Sequence, residues 1–188
     1  MKSYLLKAIV AFALGSFFLV SSVRAQDNDG CSQATLKGDY AFTVSGTFWI
    51  GPDNSIAVQR EGLAMTHFDG AGILSQVDFV LSSPNAPAPP GVSPTDSVTG
   101  FHTEEKGTYI VHEDCTGTFT INNPPLVNPK TGGTTPGAII VVKFVLSEHG
   151  RSIHTVVTSL TPPGAPGPVP ALIRSEGHKL GRVREEWD

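Results

Sequence analysis

The chain lacks almost every motif that marks a familiar catalyst or nucleic-acid binder. Lys and Arg never cluster beyond the scattered Arg182-Val183-Arg184, so nucleic acid and anionic membrane surfaces are poor partners. There is no nucleophile elbow, Walker loop, dinucleotide fingerprint or catalytic Ser/His/Asp order. Thr131-Gly132-Gly133 lacks the following Lys and helix that phosphate cradling needs. The six histidines form no His-x-His or His-Glu-x-x-His pair. His112-Glu113-Asp114-Cys115 carries donor atoms, but consecutive strand residues point to opposite faces. Neither a metal nor a cofactor is expected. No Asn-x-Ser/Thr acceptor occurs, and nothing beyond the first residues has helical periodicity.

Met1–Ala25 reads as a secretory signal peptide. Lys2 and Lys7 supply the positive start, Ala8–Val20 is apolar, and Val23-Arg24-Ala25 is a small-x-small cleavage site. That apolar run is well below the roughly 20 residues of a membrane span, and no Leu-x-x-Cys lipoprotein pattern follows. The expected product is a secreted or periplasmic protein, not inserted in a membrane once the leader is cleaved. It is a single domain over residues 26–188. Removing the leader takes away three of 13 basic residues and none of 17 acidic ones, leaving a formal charge of −7. Cys31 and Cys115 are the only cysteines, and an oxidising compartment favours a disulfide between them.

What the chain does have is a regular series of strand-like segments. Gly38–Phe48 alternates cleanly, with Tyr40, Phe42, Val44 and Phe48 on one face. Ile56–Phe68 follows, then the hairpin signal Asp69-Gly70-Ala71-Gly72 and Ile73–Leu81, with Ile73, Val77, Phe79 and Leu81 on its apolar face. Ser97–His112 reads as one crossing with a bulge at Gly107, because only then does Cys115 reach the end of the sheet where Cys31 lies. Gly117–Asn122, Ala138–Ser147, Ser152–Leu160 and about Ala171–Val183 complete eight strands.

The links between these strands alternate in length. Trp49–Asn54, Ser82–Asp96, Asn123–Gly137 and Thr161–Pro170 are long and all contain proline; Asp69–Gly72, Asp114–Thr116 and Glu148–Arg151 are turns. Successive links of a meander fall at opposite ends. The expected fold is therefore all-β: an eight-stranded antiparallel up-and-down barrel with long Pro-rich loops at one end. A β-sandwich is the alternative, disfavoured because no Greek-key crossing is needed.

Eight rings, Tyr40, Phe42, Phe48, Phe79, Phe101, Tyr109, Phe119 and Phe144, fall on the more apolar strand faces and form either a packed core or an apolar pocket. Trp49 opens the first long loop, and His67 and His154 are candidates to point inward. The ligand-binding set is thus Tyr40, Phe42, Phe48, Trp49, His67, Phe79, Phe101 and His154; catalytic residues are unknown. Arg60, Glu61, Arg174 and Glu176 read as outward, solvated charge.

Cys31-Ser32-x-Ala34-Thr35-Leu36-Lys37-Gly38-Asp39-Tyr40-Ala41-Phe42 and Gly107-Thr108-Tyr109-x-Val111-x-x-Asp114-Cys115-Thr116-Gly117-Thr118 resemble a group of uncharacterised exported bacterial proteins. Phe68-Asp69-Gly70-x-Gly72 fits the same pattern. The resemblance implies common descent and no particular activity. The inferred architecture is also similar to allene-oxide-cyclase-like and lipocalin-like barrels, without any matching catalytic signature. The leading expectation is a barrel that binds a small, partly apolar molecule through its loop-rich end. The alternatives are a cofactor-free isomerase or cyclase using His67, His154 or Glu176 to move a proton, and a surface interaction module built on the Pro-rich loops.

Overall fold

The structure is a computed structural model that describes residues 30–83, 101–128 and 131–181. The leader, most of the Ser82–Asp96 link and the C-terminal residues lie outside the described residues. Five strands come first: β1 (Lys37–Ile50), β2 (Ile56–Asp69), β3 (Ile73–Ser82), β4 (His102–Val111) and β5 (Thr116–Asn122). A two-residue ribbon, β6 (Leu126–Val127) with β7 (Thr134–Thr135), decorates the next link, and β8 (Ile139–Ser147), β9 (Ser152–Thr161) and β10 (Ala171–Lys179) follow. Each long strand pairs antiparallel with its chain neighbours, and β10 pairs with β1 from Tyr40↔Lys179 to Phe48↔Ala171. The result is a closed eight-stranded barrel with no unpaired edge.

The turns β2–β3, β4–β5 and β8–β9 lie at one end, the closed end; the links β1–β2, β5–β8 and β9–β10 lie at the other, the loop end, where β3 also ends and β4 begins. At the closed end Asp69 Oδ1 accepts the backbone N–H groups of Ala71, Gly72 and Ile73 at 2.7, 3.0 and 3.0 Å, while Gly70 takes the positive φ (86°) that the turn demands. The segment 30–36 runs under this end. Cys31 is bonded to Cys115 with Cα atoms 4.9 Å apart, and Leu36 is fully buried. The Tyr109 hydroxyl accepts from Gly70 N–H (2.8 Å) and donates to the Leu36 carbonyl (3.0 Å). Tyr40 donates to the Gly150 carbonyl.

Above this plug the lumen is filled. Phe68 stands edge-on to Tyr40 and to Tyr109, with centroids 5.5 and 5.1 Å away, and Phe119 stacks on Phe144 at 5.8 Å. Burying each such side chain contributes about 1.5–3 kcal/mol. A second, smaller apolar cluster of Phe48, Val58, Leu160 and Ile173 lies nearer the loop end.

Two details differ from the sequence reading. β4 is a single crossing, but its irregularity is not at Gly107. Gln76 pairs with Glu105 and Asp78 with His102, so the extra residue lies between 102 and 105, where Glu104 adopts φ 70°. Gly107 is needed for a different reason: a Cβ there would run into the Thr120 carbonyl. The second correction concerns β3. Its buried face is Leu74, Gln76 and Asp78, while Ile73 and Leu81 are 56% and 47% exposed. The Asp69 turn fixes this parity by pairing Phe68 with Leu74, and a one-residue slip would be required to turn the more apolar set inward.

Candidate functional site

The wall formed by β2, β3 and β4 carries the buried charged groups of the lumen, while the opposite wall holds only the hydroxyl pair Thr155 and Ser175 among its described apolar residues. On β2 the inward parity that carries Val58, Ala64 and Phe68 also carries Arg60 and Thr66; on β3 it carries Gln76 and Asp78; on β4, Glu105. Glu105 is 1% exposed, Asp78 8% and Gln76 9%. Thr66 Oγ1 donates to Gln76 Oε1 (2.7 Å), and Gln76 Nε2 donates to Glu105 Oε2 (2.8 Å). Asn123, just past β5, gives its Nδ2 to Glu105 Oε1. His102 Nδ1 pairs with Asp78 Oδ1 at 2.8 Å, with the imidazole half exposed.

The bulge assembles this set. Residues 102 and 105 are three apart and would point to opposite faces of a regular strand. The extra residue brings both towards β3, where the donor atoms of Asp78, His102 and Glu105 lie within 4.8 Å of one another. Burial, and then repulsion from Asp78, push the Glu105 carboxyl up to about 7; the Gln76 hydrogen bond and the charges of His102 and Arg60 act the other way.

Arg60 is the remaining member. Its guanidinium lies 5.4 Å from the Phe48 ring centroid, and its buried Nε has no hydrogen-bond partner. Burial lowers its pKa, opposed by the nearby charges of Asp78 and Glu105. Asn123 Oδ1 is likewise buried and unbonded. An unpaired buried polar group costs about 1–3 kcal/mol, and more if charged. Asp78, His102 and Glu105 are ligand types that hold divalent cations, but a cation there would meet the guanidinium charge alongside.

The residues expected to line a pocket do not converge. Tyr40 and Phe42 belong to the filled closed-end core, as do Tyr109, Phe119 and Phe144. Phe48 is inward beside Arg60, and Trp49 follows it on the opposite face, half-buried, with its backbone N–H on the Pro170 carbonyl (2.9 Å). His67 and His154 point outward, correcting the expectation of inward imidazoles: His67 pairs with Asp39 at 2.7 Å, and His154 lies 3.9 Å from Glu176. Phe79 and Phe101 also lie outside the lumen, with ring centroids 5.8 Å apart and Phe101 61% exposed. Strand parity is the cause for His67, His154 and Phe79, since Phe68, Ile153 and Asp78 hold the inward positions next to them, while Phe101 lies just before β4.

Two grooves lie on the outer surface, one of about 260 Å³ beside His67 and one of about 540 Å³ between Gln59 and Arg174. No described helix is long and apolar enough to cross a membrane. Comparison with protein-family models, with curated proteins and with solved structures gave no match to the chain.

The sequence reading missed Arg60, Gln76, Asp78 and Glu105 as inward residues. The signal was present: each keeps the parity of an aromatic on its own or the paired strand, Phe68 for β2 and β3 and Tyr109 for β4.

Proposed function

We propose that the protein is exported and binds a small, partly apolar molecule in the loop-end half of its lumen. The apolar body would rest on Phe48 and its neighbours, and the polar group would face Arg60, Asp78 and Glu105. The observation that carries this reading is the buried, unpaired Arg60 Nε near two buried carboxylates in the barrel wall. Folding gains nothing from such a group, and buried polar sets of this kind mark functional sites. With the closed-end half filled, Tyr40 and Phe42 support the site rather than contact the ligand.

A thermal-shift screen of compact ring compounds bearing one polar group tests the proposal. A ligand present at about 100 times its Kd should raise stability by about 2.7 kcal/mol. No shift by any compound contradicts ligand binding.

A second reading, a cofactor-free isomerase, is favoured by one feature: Glu105 is buried, poised near neutrality and next to a His102–Asp78 pair that reaches solvent. A base of that kind suits proton abstraction beside a carbonyl. In this reading Glu105, rather than His67, His154 or Glu176, moves the proton. E105Q would abolish turnover without unfolding the barrel, and unchanged turnover would exclude it.

A further inference from the structure

Arg60 stands apart from the carboxylates near it for a structural reason. Glu105 already accepts from Gln76 and Asn123, one amide on each oxygen, and Asp78 is held by His102. Three neighbouring donors thus hold these carboxylates in place, and neither carboxylate reaches the guanidinium. Among the described residues Arg60 forms no ion pair, and the Phe48 ring beneath it fixes the group from one side. What stays free is the edge of a planar cation whose N–H groups suit two oxygens of one oxyanion.

We infer that the ligand carries a carboxylate, which docks on the Arg60 guanidinium, and a compact ring body, which lies beside Phe48 at the loop-end margin of the apolar cluster. This rests on the ligand-binding reading above and adds the ligand's chemical class. A long chain is excluded because the lumen below is occupied by Phe68 and its neighbouring rings. The carboxylates Asp78 and Glu105 make the inference exposed to a clear opposite. If their charge governs the site, a cationic head group is preferred over an anionic one.

Three probes with one ring system separate these cases: 2-naphthoate, 2-naphthylmethanol and 2-naphthylmethylammonium, titrated calorimetrically into the wild-type protein, R60M and R60K. The expected result is that 2-naphthoate binds about tenfold or more tighter than the alcohol, with the ammonium weakest. R60M should erase the advantage of the naphthoate over the alcohol, and R60K should restore part of it. R60M leaves Asp78 and Glu105 without the nearby cation, so its folding is checked by circular dichroism before the titrations. Should R60M fail to fold, the wild-type ranking and R60K decide. Equal or tighter binding of the alcohol or the ammonium overturns the carboxylate assignment while leaving ligand binding intact, as does a naphthoate preference that survives R60M. If none of the three binds, the ligand-binding reading fails with it.

Discussion

The two halves of the barrel solve opposite problems. At the closed end no buried side-chain polar atom among the described residues lacks a partner: Tyr109 bridges the Asp69 turn and Leu36, Tyr40 caps Gly150, and a disulfide joins the leading segment to the β4–β5 turn. At the loop end, Arg60 beside the apolar cluster and Asn123 just past β5 are left with buried, unbonded atoms. One half is built to stay folded, and the other keeps a cost that folding does not repay. Separating the two keeps the site on rigid strands above a plug that holds the barrel together.

The comparison breaks most visibly if the closed end proves soft. F68A, which removes the ring at the centre of the aromatic cluster, should cost about 3–5 kcal/mol in denaturant unfolding. A loss under about 1 kcal/mol would mean that this half is not the packed core. Replacing both cysteines with serine should cost about 2–5 kcal/mol, since the bridge spans 84 residues of sequence. An unchanged midpoint under oxidising conditions would show the plug to be held without it.

At the loop end the test is pH. The Glu105 carboxyl is raised from 4.5 to about 7, so its contribution to stability is fully present below about 4.5 and is lost as pH rises through about 7. Relative to the wild type, E105Q should therefore gain stability over that window, by at most about 3 kcal/mol. A difference that stays flat with pH would place Glu105 in water rather than in the lumen wall. The smallest effect belongs to the outer surface. H67A breaks a half-exposed pair with Asp39 and should change stability by under about 1 kcal/mol and leave ligand binding untouched. A large loss of binding would return His67 to the site.

The barrel was legible because its signals are redundant. Alternation in β1, the Asp-Gly turn, the proline-bearing links and the placement of Cys31 and Cys115 all lead to the same meander. The site was not legible, for three physical reasons. Hydrophobicity chose Ile73, Val77, Phe79 and Leu81 as the inward face of β3, whereas the Asp69 turn sets parity through Phe68 and Leu74. The bulge was sought at a glycine, but it is Glu104, a non-glycine residue in the left-handed region, that brings His102 and Glu105 together. And Arg60 read as solvated charge because charged side chains are so rarely buried, which is the rule that a functional lumen breaks.

The most direct measurement is a two-dimensional NMR titration of the labelled protein with 2-naphthoate, following the Arg60 Nε–H resonance together with the backbone amides. Binding at the loop end shifts Arg60 and the amides of Phe48, Asp78 and Glu105, and leaves those of Leu36, Tyr109 and Phe144 in place. Shifts confined to the closed end, or to the outer surface around His67, Phe79 and His154, would contradict it, as would no shift at all.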